Sequence, residues 1–270
     1  MGLPESNEIG HVPGHVELGG IRCSTHTIDQ FVEEVEYLLE NRTAQPRMLL
    51  CVNAHIYNLA YEDRSLRETI NRSRIVTADG MSMVWMARFR GVRVTERCNM
   101  TEAFRAFFTK PTVRPSRGIL VGVTPEVASA AAKEIEAASS HCRIVNTYSG
   151  FLREDEYDEI FRTMDPVDFI FVGMGTPRTE RICEIAAARQ PNAIVWGIGA
   201  GTICILGGAM KEAPAFMRRS GLQWLYRLGH EPLRLWRRYV FGNPMFVYRM
   251  LRSGYLSRRE FAKHSTVPRG

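Results

Sequence analysis

The sequence predicts an α/β fold, a doubly wound, mostly parallel (Rossmann-like) sheet followed by a basic, amphipathic helical C-terminal appendage. Three observations carry that expectation. Short uncharged runs rich in β-branched and aromatic residues recur, among them Met48–Val52, Gly118–Val123, Phe169–Val172 and Ala193–Trp196, and such runs suit strands buried on both faces of a parallel sheet. Helix-period stretches separate them, an alternation that implies right-handed crossovers. Beyond Gly208 the pattern changes to short segments in which arginines alternate with Trp, Phe and Leu.

The elements follow in order. The first residues are polar and punctuated by Gly and Pro, which predicts a flexible arm over residues 1–15. Val16–Cys23 reads as a first strand or hairpin. Thr27 with Gln30 spells a capping box, and Phe31, Val35, Leu38 and Leu39 share one face of a helix running to about Asn41. Met48–Val52 is a buried strand that ends at Asn53, with a helix opening over His55–Tyr61. Ser73–Ala78 repeats the pattern, ends in Asp79-Gly80, and leads to a helical stripe of Met81, Val84, Trp85 and Phe89. Gly118–Val123, including Gly122, passes through Thr124 and Pro125 into an Ala-rich helix ending near Ala138. Arg143–Asn146 is a short strand, Gly150 a turn and Asp155–Met164 a helix. Phe169–Val172 runs into Gly173-Met174-Gly175-Thr176-Pro177, where the glycines permit a tight turn and Pro177 suits the first position of a helix reaching about Gln190. Ala193–Trp196 then enters a turn containing Gly197, Gly199 and Gly201. The α/β domain spans 16–208.

Ligands of open α/β sheets collect beyond the carboxyl ends of the strands, so Asn53, Asp79 and the Gly-rich turns fall on the working edge. Asn53 and Asp79 suit helix N-caps equally well, and the residues alone leave cap and catalyst both open. The Gly173–Thr176 turn, feeding a helix N-terminus, is either a compact connection or a cradle for an anion. A nicotinamide-dependent oxidoreductase would also use such turns, but no G-x-G-x-x-G opens a first βα unit with an acid roughly 20 residues on.

Composition narrows the classes further. The six cysteines form no CxxC pair and the seven histidines are scattered, which predicts reduced thiols, mostly in the core, and no protein-built metal site. No apolar run approaches the roughly 20 residues of a membrane span, and the N-terminus lacks the layout of a signal peptide, so a cytoplasmic chain is expected. The net charge of +6 is concentrated from Arg218 onward. In the appendage, 209–254, Arg218, Arg227, Arg234, Arg237, Arg238 and Arg249 stand beside Leu222, Trp224, Leu233, Trp236 and Phe246, and a polar tail, 255–270, follows. Such segments suit a membrane interface with anionic lipid, with Arg218, Trp224, Trp236, Arg238 and Arg249 as its contacts. A helical cap with solvated arginines is the alternative. Low lysine and high apolar content argue against a nucleic-acid partner.

The ordered set Asn53, Ala78-Asp79-Gly80, Gly173 to Glu180, Ala213-Pro214, Gly221 to Leu228, Glu231-Pro232, Arg234 and Arg237-Arg238-Tyr239 resembles the WecG/TagA/CpsF family of bacterial glycosyltransferases over roughly Val16 to Tyr248. The resemblance implies an inverting, metal-independent transfer from a UDP-sugar donor to a polyprenyl-diphosphate-linked saccharide at the cytoplasmic membrane face. The donor sugar would be of the N-acetylmannosamine type, its uronate, or glucuronate. Surface polysaccharide or teichoic acid would be the product pathway. No cofactor is implied beyond the UDP-sugar co-substrate, and self-association is expected from relatives.

By the same resemblance Asp79 is the general base, beside Asn53, and Arg227, Arg234 and Arg237 close over the site. Donor contacts are expected from Gly122, Gly173, Gly175, Thr176, Thr179, Glu180 and Gly199. The chain departs from the family pattern at Thr179, where Gln is usual, at Cys51, where Thr is common, and at Cys98-Asn99-Met100, where Gly and then Asp often follow Glu-Arg. These departures are read as altered specificity near the sugar pocket. An inactive membrane-surface scaffold of the same fold is the alternative.

Overall fold

The side chains of each strand divide between two faces, and that division builds the molecule. The computed structural model describes residues 14–89, 91, 97–110, 114–139 and 141–264. Among them, eight strands form one sheet: β1 (His15–Leu18), β2 (Ile21–Ser24), β3 (Met48–Val52), β4 (Ile75–Ala78), β5 (Ser116–Gly122), β6 (Cys142–Tyr148), β7 (Phe169–Gly173) and β8 (Ile194–Gly197). Their spatial order is β1-β2-β4-β3-β8-β7-β5-β6. The β1–β2 hairpin is antiparallel and the other pairings are parallel.

Strand side chains alternate. In β7, Phe169 and Phe171 face one side while Ile170 and Val172 face the other, and in β3 Leu49 opposes Met48, Leu50 and Val52. The Phe171 side is covered by α1 (Ile28–Glu40), α5 (Met100–Thr109), α6 (Pro125–Ala138) and α9 (Ala200–Leu206). The opposite side is covered by α2 (Ala54–Glu62), α3 (Arg64–Asn71), α4 (Met81–Phe89), α7 (Glu154–Thr163) and α8 (Arg178–Arg189). The sheet is therefore doubly wound, as the sequence predicts. At its centre Trp196 packs 5.0 Å from Phe31 and 5.4 Å from Phe104, and its Nε1 donates to Met100 Sδ at 2.8 Å. Burying each such phenylalanine contributes roughly 2–3 kcal/mol.

Local signals hold with small shifts. Thr27 and Gln30 form the expected capping box. Pro177 is the N-cap of α8 rather than its first residue, following a cis Thr176–Pro177 bond. The stripe expected on α4 does not all face the core: Met83, Val84, Met86 and Ala87 are buried, whereas Trp85 and Phe89 are 57% and 76% exposed. Helices α3, α5 and α9 carry no counterpart among the sequence expectations.

The appendage consists of α10 (Ala215–Arg219), α11 (Gln223–His230), α12 (Pro232–Val240) and α13 (Gly242–His264). The backbone of α13 stays helical past 254, through the first residues of the expected polar tail; 265–270, and residues 1–13 of the expected arm, lie outside the described residues. α13 docks on α2. Phe246 and Met250 are fully buried there, with Phe246 edge-on to Tyr57 at 5.2 Å. Arg249 donates to the Asn58 carbonyl at 2.8 Å and pairs with Glu62, and Asn58 Nδ2 donates to the Gly242 carbonyl at 2.7 Å. Among the described residues, no helix is long and apolar enough to cross a membrane.

Candidate active site

The carboxyl ends of β3, β4, β7 and β8 open into one cleft of about 430 Å³. Chain direction explains its position. From β3 the chain moves to β4 on one side, whereas β8 is reached from β7 on the other, so the connections diverge and leave a crevice between them.

Each wall is set by local structure. Asn53 ends β3 and caps α2, its Oδ1 accepting from the N–H groups of His55 and Ile56 at 3.0 and 3.1 Å. The same oxygen accepts from the Arg238 guanidinium at 3.4 Å, so the residue is both a cap and part of the cleft. Asp79 ends β4, its N–H donating to the Val52 carbonyl at 2.8 Å. Its carboxylate accepts from Asn99 Nδ2 at 2.8 Å. Gly175, with a φ of +93° that favours glycine, and Thr176 enter from the β7–α8 turn, Gly199 from the β8–α9 turn and Gly201 from the first turn of α9. Helices α11 and α12 supply Trp224, Arg227, Arg234, Arg238 and Tyr239. Trp224 and Tyr239 meet at 5.6 Å and tie the two helices together.

The charges converge on Asp79. Burial pushes its carboxyl above the ordinary carboxylate range, while Arg97, the Asn99 hydrogen bond, Arg227 and Arg238 pull it back. A half-buried carboxylate of this kind can take a proton from a bound hydroxyl. Arg97, 10% exposed, pairs with Glu102 at 3.3 Å and donates to Gln223 Oε1 at 3.3 Å. His55 lines the same cleft with its pKa lowered to about 4 by burial and by Arg238. Burial, then the Asp79 and Glu180 carboxylates, hold the Cys51 thiol well above its ordinary value, so it stays neutral.

A model of the glycosyl transferase WecG/TagA/CpsF family matches residues 16–260. The chain belongs to this family. It is similar to the N-acetylglucosaminyldiphosphoundecaprenol N-acetyl-beta-D-mannosaminyltransferase of Staphylococcus aureus strain MW2, 24% identical over 238 residues that cover 88% of this chain and 92% of that protein. The protein of the same description from strain NCTC 8325 / PS 47 gives the same figures, and that from strain MRSA252 is 24% identical over 242 residues.

Several residues expected in this glycosyltransferase's cleft lie elsewhere. Gly122 and Gly173 do not line it; they let turns pack against each other. A Cβ on Gly122 would fall 2.1 Å from the Gly173 carbonyl oxygen, and one on Gly173 would fall 2.7 Å from the Gly199 backbone and from Ile203. Thr179 is 4% exposed, its hydroxyl accepting from Met174 N–H at 3.0 Å, so it braces the turn and does not face the cleft. Glu180 is 3% exposed and acts one step removed: its Oε1 accepts from the Thr176 hydroxyl at 2.8 Å.

The arginines are also redistributed. On α12, positions 234 and 238 are one turn apart and share the cleft side, whereas Arg237 is exposed and stacks on Trp236 at 5.4 Å. Arg237 therefore does not line the cleft with Asp79; its neighbour Arg238, expected at the membrane, does. Arg218 is held by Glu212 at 2.6 Å, Arg249 is turned into α2, and Trp224, 39% exposed, lines the cleft. Trp236 is 39% exposed.

Asn99 was expected near the sugar pocket as a departure from the family pattern, but neither its bond to Asp79 nor the place of Arg97 in the cleft was among the expectations. A signal for Asn99 was present: Asn followed by Thr and Glu ahead of Phe104, Phe107 and Phe108 is a capped amphipathic helix.

Proposed function

We propose that this glycosyltransferase catalyses inverting transfer of an N-acetylmannosamine-type sugar, its uronate or glucuronate from a UDP-sugar to a polyprenyl-diphosphate-linked saccharide. The acceptor reading rests on the relatives' name, which specifies an N-acetylglucosaminyldiphosphoundecaprenol acceptor and N-acetyl-beta-D-mannosaminyl transfer. The product would enter surface polysaccharide or teichoic-acid assembly.

The observation that carries the mechanism is one carboxylate, Asp79, at a cleft shared with Arg97, Arg227, Arg234 and Arg238. As the acceptor oxygen bonds to the anomeric carbon, its proton passes to Asp79, and the bond from that carbon to the diphosphate breaks with the electron pair leaving on UDP. Guanidinium groups meet the charge that develops on the leaving diphosphate, the work a divalent ion would otherwise do, and the transfer is metal-independent. Gly175 and Gly199 let the donor approach the sheet edge. The outer side of α12, with Leu233 91% exposed beside Trp236, Arg237 and Val240, suits docking on the anionic cytoplasmic face of the membrane.

Asp79→Asn tests the assignment with UDP-N-acetylmannosamine and a short-chain lipid diphosphate bearing N-acetylglucosamine. Turnover should fall by roughly 10²- to 10⁴-fold, the scale of general-base catalysis, while UDP binding persists. Unchanged turnover would remove Asp79 from the role.

A further inference from the structure

Asn99 is held at both ends of its side chain. Its Oδ1 accepts from the N–H groups of Thr101 and Glu102 at 3.1 and 3.2 Å, capping α5, while its Nδ2 donates to Asp79 Oδ1 at 2.8 Å. Backbone N–H groups can only donate, so the cap fixes which way the amide points: oxygen toward α5, NH₂ toward Asp79. The residue is 7% exposed. The first turn of α5 is pinned in its turn, with the Thr101 hydroxyl 2.8 Å from Thr202 Oγ1, which donates to the Ile198 carbonyl at 2.8 Å. The donor facing Asp79 is therefore anchored to the ends of both β4 and β8.

Resting on Asp79 as the general base, we propose that Asn99 is a positioning residue of the transfer, a fixed amide donor that aims the Asp79 carboxylate at the acceptor hydroxyl and keeps it ionised. Asn99 exchanges no proton. It stabilises the charged carboxylate before the acceptor's proton moves to Asp79 and the sugar leaves UDP.

The other groups that act on Asp79 are Arg97 ahead of α5, Arg227 on α11, Arg238 on α12 and the Cys51 thiol on β3. The guanidinium groups form a cationic frame, and burial holds the thiol neutral. The Asn99 amide is thus the neutral contact that can be changed without altering the cationic frame, and its loss is read directly in the ionisation of Asp79.

Asn99→Ser and Asn99→Asp each keep an oxygen able to cap α5, but neither retains the amide donor to Asp79. The measurement is kcat/KM against pH, with the substrates used for Asp79→Asn, together with thermal denaturation. Both variants should melt near the parent while kcat at pH 7 falls by about tenfold or more, the loss of a hydrogen bond to a charged group. The acidic limb should move to higher pH by about one unit in Asn99→Ser and further in Asn99→Asp, where a like charge faces Asp79. Donor KM should stay within about twofold, since the contact is to the base and not to the sugar. Asn99→Ala, which loses the cap as well, should also melt lower.

An acidic limb that stays in place in both capped variants overturns the proposal, whatever happens to the rate. That failure would leave Asp79 itself standing, because Asp79→Asn tests the base separately.

Discussion

Arg237 and Arg238 are adjacent in sequence and serve different sides of α12. Arg238 lines the cleft and bonds Asn53, while Arg237 lies on the exposed Trp236 ring. Arg238→Ala should lower kcat/KM by roughly 10²-fold, as expected for a lost donor to a developing anion, whereas Arg237→Ala should change it by less than about threefold. Steady-state kinetics decide between them; the reverse order would return Arg237 to the site. The sequence makes the arginine cluster visible but not its orientation, because the apolar stripe of Leu233, Trp236 and Val240 faces outward while Leu235 is the buried residue, so hydrophobic periodicity points the helix the wrong way. Asp79 and Asn53 were legible for a different reason. Each terminates an uncharged strand, and the end of a parallel strand is a place the fold itself defines. Thr179 was misplaced because a motif position says nothing about which way a hydroxyl turns, and here it turns into its own loop.

At the scale of elements, the turns after β5, β7 and β8 pack so closely that glycine is required for space. Gly173→Ala would place a methyl 2.7 Å from the Gly199 backbone and from Ile203 Cδ1, against the start of α9. The expected cost is about 1–3 kcal/mol, with α9 pushed from β7, and denaturant unfolding measures it. A variant as stable as the parent would show that the turns can separate without cost. The strands were readable because buried parallel strands are uncharged and short. Helix α3 was not, because Leu66 and Ile70 are a short signal inside a charged segment. Helix α5 has an explicit cap in Asn99 and an aromatic face in Phe104, Phe107 and Phe108, but it follows no strand and so falls outside the strand–helix alternation that reveals other helices of the sheet.

The molecule as a whole presents cleft residues and a run of exposed apolar side chains on the same segment, α12 and its end. Leu233, Trp236, Val240 and Phe241 are 91%, 39%, 55% and 63% exposed, while Arg234 and Arg238 of the same segment line the cleft. Leu233→Glu with Trp236→Glu should weaken cosedimentation with anionic liposomes by at least about tenfold, each buried side chain contributing roughly 1.5–3 kcal/mol, while turnover on a short soluble acceptor persists. Unaltered cosedimentation would move the docking face elsewhere. The charge asymmetry of the chain announced the appendage; what it could not announce is how firmly α13 is built into the rest. Phe246 and Met250 belong to the same buried cluster as Tyr57, Leu50 and Val172. Cutting the chain after Gly208 would thus expose the Tyr57 side of the core and strip the outer wall from α2, the helix that Asn53 caps. What reads in sequence as an appendage is a keystone, and the membrane docking proposed for it is separable from folding only by substitutions on its outer side.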